Sequence, residues 1–143
     1  MILKAAYAAD VRNLDDKRVA VQGYDVVSYF KSNTALKGDK MFSAQVDGAT
    51  YYFSSADTKA EFLKNPKKYE PQFGGWCAYA VADYKSKVEI DPKSFLIQDG
   101  RLLLFYNGTF GPNTRKKWLN TKNKTPEQFL KDADVNWVET QNK

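Results

Sequence analysis

Cys77 is the sole cysteine of the chain, and thiols are the side chains best suited to nucleophilic, redox or soft-metal chemistry. It lies in the run Tyr69-Glu-Pro-Gln-Phe-Gly-Gly-Trp-Cys-Ala-Tyr-Ala-Val-Ala82, which also holds the one Gly-Gly pair. Pro71 ends what precedes it, and Gly74-Gly75 supply a backbone able to take positive φ or to press close against a neighbour. Trp76 to Val81 then reads as a short buried segment. A helix opening at the bend would set unsatisfied N–H groups beside the sulfur and favour the thiolate. A cysteine among Trp, Ala, Tyr and Val also fits a small buried hydrophobe. The expectation is a partly accessible thiol in a small pocket lined by Cys77, Gly74, Gly75, Trp76, Tyr79, Tyr24 and Asp25.

The remaining composition narrows what such a pocket could do. There is no histidine, which removes the commonest near-neutral acid/base and the commonest metal ligand. A nucleophilic Cys77 would need a helix N-terminus or a lysine such as Lys85 in place of the missing base. Without a second cysteine, any oxidised form would be resolved by another molecule. Asp25 and Asp57 read as helix caps or first-turn carboxylates, with a role as acids beside the thiol as the alternative. The Arg115-Lys116-Lys117 cluster is short and reads as a solvated face, so the net charge of +5 gives no nucleic-acid reading. No run approaches the length of a membrane span, and no intact signal peptide is expected.

With 143 residues, 43% of them hydrophobic and 15% aromatic, the chain suits one domain with an aromatic-rich core. Residues 1–18 read as an N-terminal arm, 19–138 as the folded domain and 139–143 as a tail. Val19 to Phe30 suggests a short strand, a bend at Gly23 and a short buried helix capped by Asp25. Asp47-Gly48 and Asp99-Gly100 each lie between β-prone runs and predict two hairpins. Between them, Ser54 or Ser55 caps a helix through Lys64 with Phe62-Leu63 inward, and Pro66 starts a further turn anchored by Tyr69. Asn113 caps a helix through Trp118, and Thr125-Pro126 opens a last one carrying Phe129, Leu130 and Trp137. Only the Asp-Gly turn recurs, so the hairpins are not read as an internal repeat. The fold class expected is α+β, a small antiparallel sheet of two hairpins covered by short helices.

Tyr51-Tyr-Phe-Ser-Ser-Ala-Asp-Thr-Lys-Ala-Glu-Phe62, followed by Asn65-Pro66 and Tyr69, resembles a YHS domain. Gly23-Tyr24-Asp25, Val27-Ser28-Tyr29-Phe30, Pro71 to Ala80 and Asp99-Gly100-Arg101-Leu102 extend the similarity to the extracytoplasmic bacterial subfamily, from about Val19 to Trp137. The resemblance implies a YHS-like fold and a periplasmic or secreted location. Metal-associated YHS domains carry cysteines where this chain has Ser54 and Thr58, so Cys77 is the one soft ligand left, and copper the metal to consider. Cu(I) accepts two-coordinate thiolate binding, which would take two chains each donating Cys77. The reading is a non-catalytic binding module of the cell envelope for a small ligand or metal ion. It would be a monomer or a dimer linked or metal-bridged through Cys77. A thiol-dependent enzyme or redox protein using Cys77 as nucleophile is the alternative.

Overall fold

The computed structural model describes residues 10–143; the part of the N-terminal arm before Asp10 lies outside the described residues. The chain is α+β, as expected. Strands β1 (Asp39–Val46) and β2 (Ala49–Phe53) form one antiparallel hairpin, and β3 (Asp91–Gln98) and β4 (Arg101–Phe105) the other. The two remain separate two-stranded ladders. Helices α1 (Val26–Lys31), α2 (Ala56–Lys64), α3 (Pro66–Tyr69), α4 (Ala78–Tyr84), α5 (Thr114–Asn120) and α6 (Pro126–Thr140) surround them. Both Asp-Gly turns have positive φ at both residues, 50° and 79° at Asp47-Gly48 and 53° and 71° at Asp99-Gly100. Those angles match the twist of the flanking strands, which is why this dipeptide closes tight hairpins.

The expectation that the hairpins are unrelated is overturned. Val21 and Phe73 open matching 3₁₀ turns, Val26 and Ala78 open matching helices, and Asp39 and Asp91 open matching strands, each pair 52 residues apart. Both hairpins break register at the same place, between Asp39 and Ser43 and between Asp91 and Phe95. Both 3₁₀ turns run through three consecutive positive φ values, at Val21-Gln22-Gly23 and Phe73-Gly74-Gly75. The backbone hydrogen bonds repeat as well: Ala20 N to Thr50 O and Gln72 N to Leu102 O, both 2.8 to 2.9 Å, then Asp25 N to Leu36 O and Cys77 N to Val88 O, again 2.8 and 2.9 Å. The frame is therefore two copies of turn, short helix, hairpin and helix, held by main-chain groups that almost any residue supplies. Helix α6 follows the second copy and packs on α4.

Each copy buries its hairpin against the helix that follows. In the first, Phe62 of α2 packs on Tyr51 and Phe53 at 4.6 and 5.1 Å between ring centroids. In the second, Phe105 meets Trp118 of α5 at 5.3 Å, and Trp118 stacks on Phe129 of α6 at 5.2 Å. Phe53, Phe62, Phe105 and Trp118 are wholly buried, and Phe129 almost so. Leu63, expected inward beside Phe62, is half exposed, because consecutive helix positions lie about 100° apart around the axis and that step turns it away from the core face. Residues 10–18 are not a loose arm: Asn13 N donates to Gly74 O at 2.8 Å, and Arg12 and Arg18 donate to the carbonyls of Asp47 and Gly48 at 2.7 Å. Both guanidinium groups also hold Asp10, whose carboxyl lies well below the usual carboxylate range, chiefly through the Arg12 side-chain hydrogen bond. The tail expected from residue 139 begins later, since α6 runs to Thr140.

Candidate functional site

Asp25 and Cys77 occupy equivalent positions in the two copies, each directly before a short helix. Asp25 is wholly buried. Its Oδ1 accepts from Val27 N at 2.9 Å and Ser28 N at 3.3 Å, and its Oδ2 accepts from Ser54 N, Ser54 Oγ and Thr58 Oγ1 at 2.9, 2.7 and 2.7 Å. One oxygen caps α1, as expected of Asp25, and the other ties it to the start of α2. Ser54 and Thr58 do come together, but as donors to one carboxylate. The cap of α2 is Ser55, which accepts from Thr58 N at 3.1 Å. Asp57 lies in the first turn of α2.

The thiol is equally committed. Cys77 is wholly buried and its Sγ accepts from Tyr106 N at 3.3 Å, the counterpart of Ser54 N on Asp25. Thr114 Oγ1 lies 3.5 Å from the sulfur and donates its own proton to Tyr106 O at 2.6 Å, so the S–H donates to that hydroxyl. Cys77, Thr114 and Tyr106 close a ring of hydrogen bonds between α4, α5 and the end of β4. A helix does open at the bend, as foreseen, yet the sulfur makes no cap hydrogen bond to it. The expected accessible thiol is thus corrected: burial removes it from attack. Burial likewise denies it to a second chain, which corrects the Cys77-linked or metal-bridged dimer. Among the described residues no three His, Cys, Asp or Glu side chains gather as a metal set, and no helix is long and apolar enough to cross a membrane.

The other expected pocket residues do not converge on the sulfur. Tyr79 is buried against Phe129, ring centroids 5.5 Å apart, and Tyr24 is half-buried and paired through its backbone with Lys37. Trp76 donates its indole N–H to Val11 O at 2.8 Å. Gly75 accepts from the Asn13 side chain at 3.2 Å. Gly74 alone of the expected set lines either of two clefts of about 480 and 490 Å³; Cys77 lines neither.

That cleft, about 480 Å³, lies between residues 11–14, the end of α3 and the last turns of α6. Gly74 has φ 62° there, and a Cβ on it would stand 3.3 Å from both Arg12 Cα and the Trp137 ring. Leu14, Val21 and Pro71 give apolar walls, with Arg12, Lys67 and Glu70 as charged groups. Tyr51 is only 3% exposed, and its hydroxyl makes no hydrogen bond among the described residues. Among the described residues no buried side-chain polar atom is shut off without a partner, and Tyr51 lines the cleft. Its ionisation is pushed up, first by burial and then by Glu70, which keeps it a neutral donor. The Trp137 indole is in the same condition: Trp76 and Trp118 spend their N–H groups on Val11 O and Gln98 Oε1, while Trp137 has no partner among the described residues. Sequence reasoning missed Tyr51, since the Tyr-Tyr-Phe run reads as core strand. Its clue is the polar tip at a position where the other copy has Leu103.

No family model, curated protein or solved structure matches the chain.

Proposed function

We propose that this protein is a non-catalytic binding module of the YHS type, and that its ligand site is the cleft beside Gly74 rather than a pocket around Cys77. The observation that carries the reading is Tyr51: a nearly buried phenol that lines a cleft and whose hydroxyl has no hydrogen-bond partner among the described residues. Buried polar groups are nearly always satisfied, so one held open in a concave, largely apolar site marks where a partner belongs. A thiol enzyme is disfavoured, because Cys77 is wholly buried and its proton is engaged by Thr114. A cell-envelope location rests on the YHS resemblance of Tyr51 to Tyr69 and the bend before Cys77.

The walls suit a small planar molecule with an acidic group, which would lie along Trp137 and reach Arg12 or Lys67. Indole acetate is a suitable probe. Titrating it into nitrogen-15-labelled protein should shift the Trp137 indole signal and the amides of Val11 to Leu14. Tyr51→Phe keeps the ring and deletes the hydroxyl, and should weaken binding several-fold without loss of folding. Unmoved cleft signals at millimolar probe would overturn the assignment.

A further inference from the structure

The two copies differ most in how β2 and β4 connect to the next helix. Phe53 reaches α2 through Ser54 and Ser55 alone, whereas Phe105 reaches α5 through residues 106–113. The longer link, Tyr106-Asn-Gly-Thr-Phe-Gly-Pro-Asn113, wraps the Tyr106 hydroxyl so closely that a Cβ at Gly108 or Gly111 would collide with it. It leaves Phe110 fully exposed. A frame that closes with two residues does not require this excursion.

Asn107 and Asn113, from the two ends of that link, line a second cleft of about 490 Å³ with Asn33, Lys93, Ser94 and Arg115. Lys93 and Ser94 lie where β3 breaks register with β4, a distortion that re-aims side chains. Ser94 is 5% exposed, and its hydroxyl has no partner among the described residues, none of which holds a buried side-chain polar atom wholly shut off without one. Its counterpart in the first copy is Phe42, which packs on the core. Arg115 fixes its Nε on Phe95 O at 2.7 Å. Its terminal nitrogens, the Lys93 ammonium and the Asn33 and Asn107 amides make no hydrogen bond or ion pair among the described residues. Asn113 uses Oδ1 as the cap of α5 and keeps its N–H groups. Asp91 also lines the cleft, its Oδ1 accepting from Lys93 N at 2.9 Å.

From this we infer a second binding site, for a small sugar acid. Free amides offer donors and acceptors in pairs that match vicinal hydroxyls. A guanidinium pre-set by its Nε bond presents a fork suited to a carboxylate. Ser94 supplies a further hydroxyl contact. The charged groups of the lining, Lys93 and Arg115 against Asp91, leave it net positive and favour an anion.

The test is titration of the labelled full chain with glucuronate, with glucose and inorganic phosphate as controls. Glucuronate should shift the amides of Lys93, Ser94, Asn107 and Arg115, with at least ten-fold weaker binding of glucose and of phosphate. Lys93→Ala should lower affinity several-fold. Ser94→Ala should do the same while leaving the thermal midpoint unchanged or higher, an outcome that a purely structural serine would not give. A trimer of galacturonate separates the sources: affinity more than ten-fold above the monomer assigns the site to an acidic polysaccharide, and equal affinity to the free sugar acid. Phosphate binding as tightly as glucuronate overturns the sugar reading, and no shift at millimolar glucuronate overturns the site.

Discussion

Two copies of one frame treat the same buried position differently. The first puts a carboxylate before its short helix and gives it five donors; the second puts a thiol there and gives it one backbone N–H and one hydroxyl. Both answers are closed, with no polar atom left for a ligand. The clefts behave in the opposite way. Tyr51 and Ser94 carry hydroxyls at positions where the other copy has Leu103 and Phe42, and neither hydroxyl has a hydrogen-bond partner among the described residues. Reactive residue type is therefore a poor guide to function in this molecule. A polar group that the shared frame neither needs nor satisfies is a better one.

The comparison can be broken most severely at Asp25. Asp25→Ala removes the acceptor of five buried or half-buried donors, and should cost about 3–5 kcal/mol in urea unfolding, by the desolvation of unpaired polar groups. A loss below about 1 kcal/mol would show that the cluster does not hold α1 to α2. Cys77→Ala should cost less, about 2 kcal/mol, because a smaller cavity and weaker thiol bonds are at stake. The wild-type thiol should react with a small alkylating agent only in denaturant; rapid labelling of folded protein would contradict the closed ring. Gly100→Val should cost about 1 kcal/mol through strain at φ 71° alone, as no atom lies within 4 Å of the new Cβ. A neutral outcome would refute the tight-turn assignment.

How much of this was legible follows from which physical signal each part uses. Asp47-Gly48 and Asp99-Gly100 announce their turns because few dipeptides tolerate two positive φ values. Asp25, Asn113 and Thr125 announce helix starts through side-chain oxygens, and Thr125 with Gln128 forms the full capping box. The duplication was not legible, because main-chain hydrogen bonds maintain it and side chains are free to diverge. Gly23 and Gly75, Asp39 and Asp91, and Phe53 and Phe105 persist, but Asp25 against Cys77 and Tyr51 against Leu103 share no chemistry. The role of Cys77 is hidden in the sequence for a related reason. A Gly-Gly bend beside aromatics looks like an opening, whereas residues 11–13 fill one side of it through Asn13 and the Trp76 indole.

The smallest stability effects sharpen the contrast between used and unused phenols. Tyr29 donates to Pro92 O at 2.7 Å, so Tyr29→Phe should cost about 1 kcal/mol, whereas Tyr51→Phe should cost close to nothing. Both phenols have their ionisation pushed up, first by burial. Their contribution to stability is therefore complete below the unfolded tyrosine value of about 10 and is lost as pH rises above it, since the unfolded chain then releases protons that the folded chain retains. Unfolding midpoints measured from pH 8 to pH 11 should fall at the alkaline end. The fall should be shallower in Tyr51→Phe; an identical profile would mean that Tyr51 ionises freely in the fold.

The most direct test of the central claim places an open and a closed group in one spectrum. Indole acetate is titrated into wild-type protein and Tyr51→Phe while the Trp137 indole and the Tyr106 amide, which donates to Cys77, are followed together. The cleft reading predicts that the Trp137 signal moves in wild type and moves only at several-fold higher probe concentration in the variant, with the Tyr106 amide still throughout. Movement of Tyr106 with Trp137 unmoved would return the site to the thiol and contradict the account.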